Sequence, residues 1–330
     1  MVIHVIMYHY VRNNEDYEYD VYCRRKSEFK DQVKFLIKNY HHCSLADKKE
    51  TRYFLQSKDE SFLLTFDDGY KEHLDCARFL KEQGVNGIFF PSYNIFQKRL
   101  LDVNLIHLIL GNRKLSIDKL LEDIQLFIDK YNIKIKSDIF KYFGKSITEY
   151  MKVVKPKRYQ DIKTSAIKFL LQRDIADHNI RRKIIDELFI KYYKDSQENY
   201  AKNFYLTIDD MHEIKNLGSC FGGHGISHKH LDSLNKNLQK KEIEGSINKL
   251  LDLKLIDKNE TKKICYPYGA HNKNTLEIMS NKKIDFGFTV EAKEAMLDAK
   301  HTSHNLPRWD TNNWWNSILG KPEIPAIISR

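Results

Sequence analysis

Ser61-Phe62-Leu63-Leu64-Thr65-Phe66-Asp67-Asp68-Gly69-Tyr70 is an apolar run that stops abruptly at two carboxylates and a glycine. A short apolar run between turn signals is what a buried parallel strand requires. Two adjacent carboxylates at its end must face water, pair with cations or bind a metal, because buried unpaired charge is costly. In a parallel barrel the C-terminal ends of the strands are where catalytic groups sit. Neighbouring residues leave a strand in different directions, so one carboxylate can hold an ion while the other addresses a water. Asp-Asp-Gly alone would favour a turn with capping aspartates.

The flanking sequence repeats the strand and helix signals. Val85 to Phe90 is a second apolar run, and Glu72 to Gln83, ended by Gly84, is predicted as the helix between the two. Val2 to Met7 reads as an opening strand, followed by a helix over Ser27–Asn39 with Phe29, Val33, Leu36 and Ile37 on one side. Lys262–Tyr266, Ile284–Val290 and Ser303–Leu306 supply later strands, with helices near 236–253 and 273–281. This alternation predicts a parallel α/β barrel. From Lys98 to Asn203 the punctuation changes: the only glycines are Gly111 and Gly144, and the only proline is Pro156. Ile117, Leu120, Leu121, Ile124, Phe127 and Ile128 fall on one helical face behind Ser116, and Ile180, Ile184, Ile185, Leu188 and Phe189 form a second stripe. The reading is a barrel in two parts, 1–97 and 204–330, separated by a helical insertion at 98–203.

Of the 330 residues 42% are hydrophobic and 30% charged, so a core is available and wholesale disorder is excluded. No apolar run approaches the ~18 residues of a membrane span. The N-terminus lacks a basic stretch followed by a small-residue cleavage site, so no secretory signal is expected. Cys23, Cys43, Cys76, Cys220 and Cys265 are an odd number without CxxC spacing, which argues for reduced thiols and a cytoplasmic protein. The net charge is +10, and 98–203 holds 23 Lys/Arg against 14 Asp/Glu. Such a face suits a phosphorylated small substrate or peripheral contact with an anionic membrane, or is simply solvated. Nucleic acid is not expected, because no zinc finger, phosphate loop or RNP motif accompanies the charge.

The second chemical signal is Phe221-Gly222-Gly223-His224-Gly225-Ile226-Ser227-His228. Neutral imidazole is the commonest protein ligand for zinc and related ions. Two histidines four apart and a distant carboxylate give a three-ligand site with an open position. His230 is read as a supporting or exposed residue.

Together these stretches resemble the polysaccharide deacetylase family, the NodB-like enzymes of carbohydrate esterase family 4. Thr65–Tyr70 matches its TFDDG motif, His224 to Leu231 its H-(S/T)-x-x-H-x-x-L motif, and Tyr266-Pro267-Tyr268-Gly269 its proline–tyrosine–glycine loop, with Leu306-Pro307-Arg308 as a further late motif. The resemblance covers Met1 to about Phe96 and about Tyr205 to Asp310. It implies a distorted (β/α)7-type TIM-like barrel. It also implies one divalent ion, zinc or another first-row metal, held by Asp68, His224 and His228. Asp67 would be the general base, the Tyr268 backbone N–H would stabilise the oxyanion, and Tyr266, Pro267 and Trp309 would contact substrate. The general acid is a histidine that no residue after Asp310 supplies. Ile6-Met7-Tyr8-His9-Tyr10 resembles the opening of circularly rearranged members, which places that role on His9.

Two positions depart from the pattern. Gly225 replaces the hydroxyl residue after the first metal histidine, and Cys265 stands where many members carry an arginine paired with the base. Arg308 is the candidate replacement for that arginine. The implied activity is removal of an N-acetyl group from an amino sugar, expected to be a nucleotide- or lipid-diphosphate-linked precursor of a surface polysaccharide such as lipopolysaccharide or capsule. O-acetyl ester hydrolysis, N-deformylation and a catalytically silent sugar-binding module are the competing readings.

Overall fold

The structure is a computed structural model that describes residues 2–46, 48–49, 51, 59–137, 142–155, 161–296 and 304–320. Its strands, in chain order, are β1 Val2–Tyr8, β2 His41–His42, β3 Ser61–Asp67, β4 Ile88–Phe90, β5 Ile135–Ser137, β6 Tyr142–Gly144, β7 Cys220–Phe221, β8 Lys263–Cys265, β9 Phe286–Phe288, β10 Ala295–Met296 and β11 Trp309–Asp310. The chain divides into two compact units. Among the described residues, one comprises those of 2–12, 23–99 and 201–320, the other those of 13–22 and 100–200.

In the first unit β1, β3, β4 and β7 pair in parallel, in that order. A parallel bridge from Gly223 to Ile264 carries the series to β8, which pairs β9. A second bridge, Phe288 to Leu306, leads to β11, and β11 returns to β1 with Ile6 opposite Trp309. The result is a closed ring of seven parallel strands, a distorted α/β barrel completed at two places by single bridges. Short β2 pairs with β3, and β10 adds antiparallel to β1. The expected strand at Val85–Phe90 is shortened to β4 because Val85 N–H bonds back to the Leu80 carbonyl at the end of the preceding helix. Ser303 of the last expected strand lies outside the described residues.

Side chains alternate across each strand. Ile3, Val5, Leu63, Ile88, Phe90, Cys265, Phe288 and Leu306 point into the ring and form one buried cluster. Phe66 and Phe89, of the opposite parity, stack on each other at 4.6 Å. The helix Lys26–Asn39 buries Phe29, Val33 and Leu36, and the helix His73–Glu82 buries Leu74, Phe79 and Leu80.

The second unit is mostly helical. Ser116 caps the helix Ile117–Lys130 by accepting the Lys119 N–H, and Leu120, Leu121, Ile124 and Ile128 are buried. Ile184, Ile185, Leu188 and Phe189 are buried on the helix His178–Tyr193. The β5–β6 hairpin departs from the all-helical expectation. Ile133 and Ile135 are buried while Lys134 between them is exposed, a period of two that overrides the scarcity of glycine. Among the described residues no helix is long and apolar enough to cross a membrane.

Gly222 and Gly223 let the β7 end approach its neighbours. A Cβ on Gly222 would stand 2.4 Å from Phe90 Cε1 and 2.9 Å from the Lys263 carbonyl oxygen. Gly222→Ala is therefore expected to destabilise the protein by about 1–3 kcal/mol, the usual cost of overpacking, read as a lowered urea midpoint. An unchanged midpoint would show that the strands can part at this point.

Candidate metal centre and catalytic cluster

Strand parity sorts the two carboxylates. Asp67 shares the inward face with Leu63 and Thr65, whereas Asp68 begins the turn, with φ 71° followed by Gly69 at φ 72°. Both are almost fully buried, at 2% and 3% exposure. Each is answered by a different set of partners.

Asp67 receives a fork from Arg308, Nη1 donating to Oδ1 at 2.8 Å and Nη2 to Oδ2 at 2.7 Å. Arg308 follows Leu306 by two residues and so points into the same ring. It also donates from Nε to the Thr289 carbonyl and from Nη1 to Thr65 Oγ1. Burial alone would raise the Asp67 pKa, but the Arg308 charge and its hydrogen bonds reverse this and hold the carboxyl well below the usual carboxylate range. Cys265 Sγ lies 3.3 Å from Asp67 Oδ2 and accepts from Arg308 Nη2 at 3.0 Å. Burial raises the Cys265 pKa, which favours a protonated thiol donating to Asp67 over a thiolate nucleophile.

Asp68 Oδ2 accepts the Tyr70 hydroxyl at 2.6 Å. Its Oδ1 is buried without a hydrogen-bond partner and faces His228 Nε2 at 3.3 Å and His224 Nε2 at 3.4 Å. His224 Nδ1 meets the Cys265 carbonyl at 2.9 Å, which fixes the proton there and turns the Nε2 lone pair toward Asp68. One carboxylate oxygen and two imidazole nitrogens, within 4.8 Å of one another, are a donor set for a first-row divalent ion. The orphaned Oδ1 is the mark of such a site. Asp67, His224 and Cys265 also cluster within that distance, but both Asp67 oxygens are committed to Arg308.

Tyr70 stood within the quoted motif without an assigned role. It stacks on Tyr10 at 4.1 Å, and the buried Arg12 guanidinium lies 4.7 Å from the Tyr10 centroid while its Nε donates to Glu72 at 2.6 Å. This rigid assembly aims the Tyr70 hydroxyl at Asp68. His9 follows β1 at the same end of the ring, with Nε2 3.9 Å from Asp67 Oδ2 and a side chain 38% exposed. Tyr268 adopts φ 59°, ψ 9°; its ring stacks on His230 at 4.0 Å and meets His228 edge-on at 4.8 Å.

The residues expected to contact substrate fare differently. Tyr266 has the parity opposite to Cys265. It is fully buried, and its hydroxyl donates to the His304 carbonyl at 2.5 Å, so it offers no surface to a sugar. Pro267 is likewise buried. Trp309 alternates with Arg308 and is half-buried, with its indole nitrogen inside the protein. Trp314 and Trp315 pack on Phe35 at 6.1 and 5.6 Å and finish the core there.

Comparison with known proteins follows this geometry. The family model described as polysaccharide deacetylase matches residues 163–287, which include His224, His228 and Tyr266–Gly269. No curated protein sequence matches significantly. The deacetylase PplD of Streptococcus pyogenes, solved in complex with acetate, is similar in fold with a TM-score of 0.55 at 15% identity, over 98% of this chain and 99% of that one. IcaB from Ammonifex degensii gives 0.53 at 14% identity over 97% and 96%, and a de-N-acetylase from Aggregatibacter actinomycetemcomitans 0.51 at 11% over 97% and 99%. The chain is thus similar to polysaccharide deacetylases in sequence over residues 163–287, and in fold, a distorted α/β barrel, over nearly its whole length.

Replacing Arg308 isolates the electrostatics of Asp67. In Arg308→Met burial acts on Asp67 with far less opposition, so its carboxyl protonates at a higher pH. The acid limb of kcat/KM should then move upward, activity being lost as pH falls through the raised value. The variant should also lose about 3–5 kcal/mol of stability, because one partner of a buried pair is left behind. A pH–rate profile superimposable on the parent's would remove Arg308 from this role.

Proposed function

We propose that this protein is a deacetylase that removes the N-acetyl group from an amino sugar, with a single divalent ion, zinc by donor set, held by Asp68, His224 and His228. The observation that carries the reading is the unpartnered Asp68 oxygen facing two imidazole nitrogens, with the ionised Asp67 and His9 beside it. Two of the structural neighbours, a deacetylase bound to acetate and a de-N-acetylase, support the choice of acyl group.

An ion in this site would supply Lewis acidity, polarising the acetamide carbonyl and lowering the pKa of a water toward ~7. Asp67, aimed by the Arg308 fork, accepts the proton of the attacking water as its oxygen bonds to the carbonyl carbon. The Tyr268 backbone N–H is assigned to the oxyanion. His9 donates a proton to the sugar nitrogen as the C–N bond breaks, giving acetate and an amine. The 3.9 Å between His9 Nε2 and Asp67 Oδ2 gives a short path for the base's proton to reach the acid for the next turnover.

The substrate is proposed to be a diphosphate-linked sugar precursor of a surface polysaccharide, met in the cytoplasm. The excess of 23 Lys/Arg over 14 Asp/Glu in 98–203 supports an anionic substrate, and an odd number of cysteines without CxxC spacing supports a reducing compartment.

The division of labour predicts unequal variants. Asp67→Asn should retain bound metal and lose about 10²–10⁴-fold in kcat, whereas His228→Ala should lose metal and turnover together, by metal analysis and acetate release. Parent-rate hydrolysis by Asp67→Asn would refute the base assignment. For the substrate, nucleotide-diphosphate-linked N-acetyl sugars should show a lower KM than the free sugars, an advantage that shrinks as salt is raised. Equal KM values at low salt would remove the support drawn from charge.

A further inference from the structure

Between the two metal-binding imidazoles the chain runs Gly225-Ile226-Ser227, and its backbone is gripped from two sides. The Gly225 carbonyl accepts the Tyr93 N–H and the Ile226 carbonyl the Asn94 N–H, both at 3.2 Å. On the other side one carboxylate does all the holding. Glu242 Oε2 accepts the N–H of Ile226 at 2.7 Å and of Ser227 at 2.9 Å, while Oε1 accepts the Ser227 hydroxyl at 2.6 Å. Glu242 stands on the helix Lys236–Asp252, whose Gly245 lets Ile226 pack so closely that a Cβ there would lie 2.2 Å from Ile226 Cδ1. Gly225 turns at φ 73°, and a Cβ on it would be 3.0 Å from Glu242 Oε2. The carboxylate therefore borders the space that a side chain after the first histidine would claim. The turn delivers His228 at φ 53°, a conformation that needs outside support.

Resting on the metal-site reading above, the structure assigns Glu242 as a positioning residue for the metal centre. Among the described residues its hydrogen bonds go to Ile226 and Ser227, and none goes to Asp67, Asp68, His9, His224 or His228. It fixes the loop that sets the spacing of His224 and His228, a task that Gly225 has no side chain to share. Outer partners of metal ligands typically account for 10–100-fold in metal affinity, and charge-assisted bonds from a carboxylate to backbone N–H groups are among the stronger hydrogen bonds.

The test uses the full chain with metal alone. Zn²⁺ affinity is measured by competition with a chromophoric chelator, and Co²⁺ absorption reports ligand geometry, for the parent, Glu242→Ala and Glu242→Gln, each checked as folded by circular dichroism without metal. Glu242→Ala is expected to bind Zn²⁺ about 10–100-fold more weakly with an altered Co²⁺ band. Glu242→Gln should lose less, because its carboxamide oxygen still accepts the two N–H groups and the Ser227 hydroxyl can turn to accept from the amide. Parent-like affinity and an unchanged Co²⁺ band in Glu242→Ala, even with a lowered melting temperature, would overturn the assignment and leave Glu242 an ordinary structural residue. If Glu242→Ala does not fold, Glu242→Asp, whose shorter carboxylate cannot reach both N–H groups and the Ser227 hydroxyl, takes its place, and the same result there overturns the assignment. A parent protein that binds neither ion would instead refute the metal-site reading on which the assignment rests.

Discussion

Two carboxylates on consecutive residues, Asp67 and Asp68, are both removed from water, and the rest of the site follows from how that is tolerated. Like charges so close would drive one carboxyl to protonate unless each had a cation of its own. The barrel gives them separate surroundings because the chain leaves its strand between them. Asp67 keeps the inward parity of β3 and meets a guanidinium; Asp68 enters a left-handed turn and meets two imidazoles and a tyrosine hydroxyl. One group is thereby held ionised and aimed, while the other keeps an oxygen for an ion. The difference in role is a difference in direction of about one residue's turn.

That arrangement costs backbone strain at the site, although Lys98, Asn132, Lys194, Lys254 and Lys283 share the conformation elsewhere. Asp68, His228 and Tyr268 all adopt positive φ without being glycine. Each is braced by neighbours: Asp68 N–H bonds to the Phe90 carbonyl, the loop before His228 is held by Glu242 and the 93–94 amides, and the Tyr268 ring stacks on His230. The bracing groups come from segments distant in sequence. The loops at one end of the ring thus hold conformations that no one of them would keep alone.

This explains which parts were legible in the sequence. The strands β1 and β3 and the helices at 26–39, 236–252 and 273–281 declare themselves by periodicity, because each is decided by contacts along its own length. Asp67, Asp68, His224 and His228 declare themselves by chemistry, being costly to bury for any other purpose. Glu242 and Tyr70 do not. A glutamate on an amphipathic helix reads as a solvated charge, and its function exists only once the helix is laid against the His224–His228 loop. The burial of Tyr266 and the half-burial of Trp309 have the opposite cause. Sitting in or beside a recognised motif suggested a shared role, but strand alternation turns each away from the face that its neighbour, Cys265 or Arg308, occupies.

The exchange at Cys265 shows how the barrel tolerates a changed motif. A ring of parallel strands presents several inward positions at the same height, so a cation aimed at Asp67 can be supplied from more than one strand. Here it comes from the segment after Leu306, and the small thiol at Cys265 leaves room for the guanidinium while adding a hydrogen bond of its own. A second arginine at position 265 would bring another cation to a carboxylate whose two oxygens are already taken. The absence of arginine there and the presence of Arg308 are therefore one solution, because the quantity to be preserved is the charge facing Asp67 and not the strand that bears it.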